Sequence, residues 1–218
     1  MPHKVIVAGA TGLVGSLLLE LLLHHPDISE VLVLSRKQLP IQNQKLKQLV
    51  IDFDRLEDYQ SEINGDAIFC CLGTTRKKTP DLKIYRKIDH DYPVELAKIG
   101  DKNSIPQFHL ISSLGANVNS FAFYTKLKGE TERDVKATQL PSIYIYQPSF
   151  LVGNRSEKRF GERFGMNLFK LINPFLIGRL KKYRSISAEV VAKAMLNEFL
   201  KNKTGVFTYP SDQIKKLA

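Results

Sequence analysis

A tyrosine, a lysine and two serines in the middle of the sequence have the residue types and spacing needed for proton transfer. Tyr124 and Lys128 are four positions apart, and residues i and i+4 of a helix lie on the same face. Tyrosine ionises at about pH 10 in water, and a neighbouring ammonium group stabilises its charged form. Ser112 and Ser113 precede this pair, and either hydroxyl could hold a substrate carbonyl against the tyrosine. The pattern indicates acid–base chemistry, although Tyr-x-x-x-Lys by itself is common in helices.

A glycine-rich turn near the start of the chain has the spacing G-x-x-G-x-x-G, between a short apolar run and a helix-forming stretch. Glycine permits a tight turn, lets the backbone approach a pyrophosphate and lets the helix pack closely on the strand. The N–H groups and positive dipole end of the helix N-terminus favour phosphate oxygens. A nucleotide-triphosphate loop is disfavoured, because Gly-Lys-Ser/Thr is missing. The expected dinucleotide contacts are Gly9, Thr11, Gly12, Leu13, Val14 and Gly15.

The end of the second predicted strand distinguishes NADP from NAD. An acidic residue at this point would accept hydrogen bonds from the ribose hydroxyl of NAD. The sequence here contains Ser35, Arg36 and Lys37 and no acid. Arg36 can pair with a 2′-phosphate through its planar guanidinium, with help from its two neighbours. A solvated basic loop is the alternative, but the distance from the glycine turn favours NADP(H).

Two further strand ends supply expected cofactor contacts. Asp52 and Phe53 follow the third predicted strand and could flank the adenine, although Phe53 could equally be a core residue. Leu72-Gly73-Thr74 follows the fourth strand, at the carboxyl edge of the sheet where a dinucleotide lies. The basic run Arg76-Lys77-Lys78 comes next, and it could face the cofactor, face an anionic substrate or be solvated.

An alternation of strands and helices must position these residues. Continuous apolar strands separated by helices are typical of a parallel sheet covered on both faces. We therefore predict one α/β domain over 1–218, a Rossmann-type doubly wound parallel sheet. The predicted strands are Val5–Ala8, Val31–Leu34, Leu49–Phe53, Ala67–Leu72, Phe108–Ser112 and Ser142–Tyr146. The predicted helices between them are Ser16–His25, Lys83–Gly100 with a kink or first turn at Pro93, and Tyr124–Ala137.

The pattern changes after residue 150, and we expect 151–218 to form most of a small C-terminal lobe on the substrate side. Apolar residues from Phe160 to Ile172 recur at helical spacing. Ala188–Leu200 predicts a further helix with Ser187 as its N-cap, and Gly205–Tyr209 predicts a last strand.

The formal net charge of +10 belongs mainly to this last third of the chain, which carries 14 Lys and Arg against five acids. Segment 154–184 alone carries nine Lys and Arg against two Glu. It could form a wall of the substrate cleft with its charges solvated, lie on a membrane surface as a peripheral contact, or bind a partner protein. No nucleic-acid-binding motif is recognisable, so we expect no nucleic-acid partner.

Composition narrows the class of protein further. The hydrophobic share of 43% and the charged share of 25% are those of an ordinary globular domain. The adjacent Cys70 and Cys71 are too few for a disulfide framework, and we expect both to be small core residues. His24, His25 and His90 lack metal-ligand spacing, so we expect no metal. We see no signal peptide and no bilayer-spanning run, and we expect a cytoplasmic location.

Taken together, these motifs resemble the short-chain dehydrogenases/reductases. The resemblance lies in the glycine turn, the strand ending in Ser-Ser, Tyr-x-x-x-Lys and Gln147-Pro148-Ser149-Phe150. The Thr-Gly-x-x-Gly form of the turn looks like the extended and atypical branches of the family. The resemblance implies a doubly wound fold and NADP(H), with Arg36 on the 2′-phosphate and Pro148 among the cofactor contacts. Gln147 departs from the arginine of many relatives, which changes an electrostatic contact near the nicotinamide.

The same resemblance implies catalytic roles. Tyr124 would be the general acid, and Lys128 would be its partner and a contact of the nicotinamide ribose. The family places the catalytic hydroxyl at the second serine, which favours Ser113 over Ser112. The expected function is an NADP(H)-dependent oxidoreductase acting on a small carbonyl or alcohol substrate. The alternative is an NADPH-sensing protein that acts through a protein partner without turnover, because the atypical branch includes such members.

Overall fold

A parallel sheet forms the centre of the molecule. The computed structural model describes residues 2–153 and 178–218, and these contain a seven-stranded sheet in the order β3-β2-β1-β4-β5-β6-β9. Its strands are β1 (His3–Ala8), β2 (Ile28–Ser35), β3 (Leu46–Val50), β4 (Ala67–Cys70), β5 (Gln107–Ile111), β6 (Ser142–Gln147) and β9 (Gly205–Pro210). A short parallel pair is formed by β7 (Leu151–Val152) and β8 (Ile186–Ser187). The strand order reverses between β1 and β4, which places a crevice there.

Helices cover both faces of the sheet. They are α1 (Leu13–His24), α2 (Leu82–Arg86), α3 (Tyr92–Lys102), α4 (Phe123–Lys136), α5 (Ala188–Leu200) and α6 (Ser211–Leu217). A π-helical turn, Lys87–Asp91, joins α2 to α3, and 3₁₀ segments span Phe53–Glu62 and Gly178–Tyr183. The predicted α/β class and parallel sheet are therefore confirmed.

Alternate residues of the strands supply two separate cores, because successive strand side chains point to opposite faces. Val5 and Val7 pack with the buried residues of α1, α5 and α6 on one face. Ile6 and Ala8 pack with α3, α4 and the 3₁₀ segment after β3 on the other. Complete burial of such an aliphatic side chain contributes about 1.5–3 kcal/mol to folding. The carboxyl edge of the sheet is thus held rigidly from both sides.

Local chemistry explains where the observed elements depart from the sequence prediction. The third strand ends before Phe53, because the Asp52 carboxylate accepts the Asp54 N–H at 3.0 Å and starts a 3₁₀ segment instead. The predicted helix Lys83–Gly100 is interrupted by the π turn, and Pro93 lies in the first turn of α3. The Ser187 cap is confirmed, since its hydroxyl accepts the Val190 N–H at 3.3 Å.

Much of the described C-terminal part belongs to the main body. Strand β9 pairs with β6 along its length, and α5 lies beside α1 on the sheet. Residues 178–218 therefore contribute a strand and two helices to the layers of the main sheet. The basic, helically patterned stretch around Phe160–Ile172 lies outside the described residues. Within residues 2–153 and 178–218, no helix is long and apolar enough to cross a membrane.

A histidine sits in the middle of an aromatic layer on one face of the sheet. His109 stacks on Tyr144 with a ring-centroid distance of 4.4 Å, and Phe69 and Phe199 surround it. Its ring nitrogens lie 3.1 Å from the Tyr146 hydroxyl and 3.1 Å from the side-chain oxygen of Gln107. Burial lowers the pKa of His109 to about 3, so the ring is neutral at physiological pH.

Replacing His109 with phenylalanine should flatten the pH dependence of stability. The folded protein protonates His109 only at a pKa of about 3, whereas an unfolded histidine does so at about 6.5. The unfolded chain therefore binds more protons below that pH. We expect His109 to lower the free energy of unfolding by about 1 kcal/mol between about pH 7 and about pH 5.5. Urea denaturation at both pH values measures this change.

The exposed His24 provides the control for this experiment. His24→Gln should show the same drop in stability as the unmodified protein, because this variant retains the buried His109. A drop of equal size in His109→Phe would contradict the assignment of the pH dependence to His109.

Candidate functional site

The turn between β1 and α1 packs directly on the end of β4. Gly9 has a φ of +88°, and a Cβ there would lie 2.5 Å from the Cys71 carbonyl oxygen. A Cβ on Gly15 would overlap the Gly9 carbonyl oxygen. Gly12 is the N-cap of α1, and it has no side chain to occupy the first N–H groups of the helix. These glycines create a cradle of backbone donors at the crevice, which fits a pyrophosphate.

Basic side chains lie at the end of β2. Arg36 and Lys37 are exposed there, at the carboxyl edge of the sheet. Ser35 is buried, and its hydroxyl donates to the Lys37 carbonyl oxygen at 2.7 Å. Ser35 therefore shapes the loop, while the two cations are the groups free to meet a phosphate.

The residues after β3 divide between surface and core. The Phe53 side chain is only 7% exposed and packs against Tyr92 at a ring-centroid distance of 5.5 Å. Of the two alternatives that the sequence allowed for Phe53, the structure therefore has it as a core residue. Asp52 beside it is exposed. Tyr92 in turn donates to the Asp54 carboxylate at 2.7 Å. Hydrogen bonds from Lys87 and then Tyr92 hold the pKa of Asp54 below its usual value.

A buried ion pair connects the π turn to α4, and its acidic partner also binds the loop after β4. The Lys128 ammonium lies 2.8 Å from the Asp89 carboxylate, and the two side chains are 6% and 1% exposed. The second oxygen of Asp89 accepts the Thr74 N–H at 2.8 Å. A Cβ on Gly73 would lie 4.0 Å from the Lys128 nitrogen, so the ammonium sits against this loop. The lysine is therefore fixed at the expected cofactor edge.

The charge of Lys128 is retained in this buried position. Burial alone would lower the pKa of Lys128, but the charge of Asp89 and then that of an ionised Tyr124 outweigh it. The pKa of Lys128 consequently lies above its usual value. Asp89 was missed by the sequence prediction, because an acid within a helical stretch carries no local sign of a partner 39 positions away.

Tyr124 precedes this lysine by one turn of α4. Its side chain is 41% exposed and borders an open cavity. The predicted helix over this region is present as Phe123–Lys136, so Tyr124 and Lys128 do lie on one face. The arrangement gives an accessible hydroxyl backed by a buried cation, which suits proton transfer.

The two serines after β5 have different environments. The buried Ser112 hydroxyl donates to the Glu132 carboxylate. The Gln147 amide nitrogen also donates to this carboxylate, at 2.9 Å to one oxygen and 3.0 Å to the other. Ser113 is partly exposed, and within the described residues its hydroxyl makes one long contact, 3.4 Å to the Leu114 carbonyl oxygen. Ser113 is thus the hydroxyl with capacity to bind a ligand.

The strand end at Pro148 supports this serine. The Pro148 carbonyl oxygen accepts the Leu114 N–H at 3.0 Å, which ties the loop after β5 to the end of β6. Pro148 itself is buried. Gln147 stands where many relatives have an arginine. Its side-chain amide donates to the carboxylate of the buried Glu132.

The cysteines and histidines do not add a second reactive centre. Cys70 is buried, and burial raises its pKa to about 12, while burial raises that of Cys71 as well. Both thiols are therefore neutral. His90 lies between Asp91 at 2.7 Å and Asp134 at 2.9 Å. Across the described part of the chain, no three metal-ligating side chains come together as a metal site.

Known proteins share both the sequence and the fold. A family model described as "Semialdehyde dehydrogenase, NAD binding domain" matches residues 4–85. Protein HTATIP2 of Rattus norvegicus is 30% identical over 207 residues, covering 93% of this chain and 83% of that protein. The mitochondrial protein FMP52 of Kluyveromyces lactis is 36% identical over 165 residues, covering 74% of each.

A solved structure agrees with the architecture. MoeE5 in complex with UDP-glucuronic acid and NAD matches with a TM-score of 0.71 at 16% identity, covering 94% of this chain and 75% of that one. At this identity the likeness shows the fold alone. The FMP52 relatives are named as mitochondrial. The cytoplasmic location predicted from the sequence is therefore wrong.

Removing either partner of the buried ion pair should destabilise the protein more than removing both. Asp89→Asn or Lys128→Met alone leaves a buried charge without its counter-charge, which costs about 3–5 kcal/mol. The double variant removes that penalty. We expect urea denaturation to give a coupling energy of at least about 1 kcal/mol in the double-mutant cycle.

The exposed pair Lys193–Glu189, also 2.8 Å apart, is the matched control. Its coupling should be much smaller than that of the buried pair, because water screens both charges. Additive losses at Asp89 and Lys128, with a coupling as small as that of the surface pair, would contradict the interpretation.

Proposed function

Because the chain belongs to the atypical short-chain dehydrogenases/reductases that include HTATIP2 and FMP52, and has their nicotinamide-dinucleotide-binding Rossmann fold, we propose that it is an NADP(H)-dependent oxidoreductase. The reaction is hydride transfer to a carbonyl, or from an alcohol in reverse. The observation that carries this proposal is the placement of Lys128, held by Asp89 against the loop after β4 and one turn from the accessible Tyr124.

The choice of NADP(H) over NAD(H) rests on the end of β2. Arg36 is exposed there, where an acid would be needed to bind the unphosphorylated ribose of NAD. A guanidinium forms paired, charge-assisted hydrogen bonds with a phosphate. The glycine turn leaves the start of α1 without a side-chain cap, so the first N–H groups of this helix are available to a pyrophosphate. NADP(H), when bound, supplies or accepts the hydride.

The residues of the chain supply the proton chemistry. Tyr124 donates its hydroxyl proton to the carbonyl oxygen of the substrate, and Ser113 donates a hydrogen bond to the same oxygen. Lys128 remains protonated because its pKa is raised, and its positive charge stabilises the tyrosinate formed. Asp89 holds the ammonium in place and so acts on the reaction through Lys128.

Arg36→Ala should weaken the binding of NADPH far more than that of NADH. Loss of the charge-assisted hydrogen bonds to the 2′-phosphate removes about 1.5–3 kcal/mol, or a factor of about 10–150 in Kd. NADH lacks this phosphate, so its Kd should change by less than about twofold. Titration calorimetry with each cofactor gives both values. Lys193→Ala, a distant exposed cation, is the control, and equal losses for both cofactors would argue against NADP(H).

Tyr124→Phe should slow turnover strongly while leaving cofactor binding intact. Loss of the general acid lowers kcat by a factor of about 100 or more, whereas the Kd for NADPH should stay within about twofold. A panel of aldehydes and ketones, followed by NADPH absorbance, measures turnover. Tyr183→Phe, at an exposed tyrosine outside the cavity, is the matched control. Tight NADPH binding without oxidation by any carbonyl in the unmodified protein would favour the NADPH-sensing alternative.

A further inference from the structure

A cavity of about 570 Å³ opens beside Tyr124. Three elements contribute to it: the loop after β4, helix α2 and the first turn of α4. The described residues that line it are Thr74, Thr75, Arg76, Leu82, Tyr85, Phe123 and Tyr124. Its size is that of a site for a small organic molecule. Because Tyr124 forms part of the wall, a molecule in this cavity is within reach of the proton-donating hydroxyl.

Most of the cavity wall is apolar. Leu82 and Phe123 are 42% and 40% exposed, and both line the cavity with apolar surface. The Tyr85 ring packs edge-on against Phe123 at 5.6 Å. The Tyr85 hydroxyl donates to the Thr74 carbonyl oxygen at 3.3 Å, so this tyrosine contributes ring surface to the wall. Such a surface fits an aromatic ring or an alkyl chain.

Arg76 is the charged member of the described lining residues. Its side chain is exposed, and among residues 2–153 and 178–218 it forms no ion pair with a carboxylate. The nearby Asp81 carboxylate accepts the N–H groups of Lys83 and Ile84 at the start of α2. The guanidinium is therefore available for an external anion, and its fork of donors matches a carboxylate or a phosphate.

We infer that the substrate is a carbonyl compound with an apolar body and one anionic group. The body lies against Leu82, Tyr85 and Phe123, the anion pairs with Arg76, and the carbonyl meets Tyr124. This inference rests on the proposed function. In the reduction, the carbonyl carbon receives a hydride from NADPH and the oxygen receives the Tyr124 proton, which gives the alcohol and NADP⁺.

Matched acids and esters test the role of charge in turnover. The probes are 4-formylbenzoate and 5-(4-formylphenyl)pentanoate, each compared with its methyl ester, so that two lengths are sampled with one reacting group. We expect kcat/KM for at least one acid to exceed that for its ester by about tenfold, the value of one charge-assisted pair. This ratio should fall to about one in Arg76→Gln. Lys77→Gln, which changes the neighbouring exposed cation outside the lining, should keep the ratio.

A binding measurement that needs no turnover separates this inference from the proposed function. 2-Naphthoate and the neutral 2-naphthamide are not reduced, and their fluorescence reports binding to the protein with NADP⁺. We expect 2-naphthoate to bind about tenfold more tightly than 2-naphthamide, and this preference should vanish in Arg76→Gln. The Kd of that variant for NADPH should stay within about twofold, because Arg76 is assigned to the substrate.

The outcomes are distinguishable. If 2-naphthoate is preferred through Arg76 but no aldehyde is reduced, the anion pocket stands and the proposed oxidoreductase function is overturned. If the aldehydes are reduced but acids and esters react equally, and naphthoate binds no better than naphthamide, the function stands and this inference is overturned. A loss of NADPH affinity in Arg76→Gln as large as the loss of naphthoate affinity would also overturn it, by making Arg76 a cofactor ligand.

Discussion

The buried ion pair between Asp89 and Lys128 is the contact on which the site depends. An unpaired charge in this position would be strongly unfavourable, so the π turn carrying Asp89 and the helix carrying Lys128 must be correctly packed together. Asp89 also binds the Thr74 N–H, which brings the loop after β4 into the same unit. Three segments that are distant in sequence are thereby held in one arrangement, and the lysine needs no solvent to remain charged.

Tyr124 lies at the boundary between two regions of opposite character. On one side is the Lys128 ammonium with its partner Asp89, a polar environment of fixed charge. On the other side is an apolar cavity with a single guanidinium among its described lining residues. A hydroxyl at such a boundary can be tuned by the polar side while the substrate is selected by the apolar side. In the proposed oxidoreductase, activation of the hydroxyl and recognition of the substrate therefore fall on different residues.

The sequence predicted the local parts of this site and not its long-range contacts. The glycine turn and the Tyr124–Lys128 pair were recognisable because their spacing within one turn or one helix has a direct geometric meaning. Asp89 was not recognisable, since its partner is brought near only by the packing of the π turn against α4. Likewise, the buried contact with Glu132 that distinguishes Ser112 from Ser113 joins two separate elements. Strand β9 was predicted as a strand, but its pairing with β6 depends on the order of the whole sheet.

The π turn at Lys87–Asp91 sets the rotational phase between α2 and α3. Each residue of an α-helix turns the chain by about 100°, and the wider turn allows Tyr85 to face the cavity while Leu96 and Ile99 face the sheet. A deletion of one residue here would restore a regular helix but rotate one of these faces away from its neighbours. Length changes in this stretch should therefore be rare in evolution, even where individual side chains vary, because the constraint acts on the number of residues.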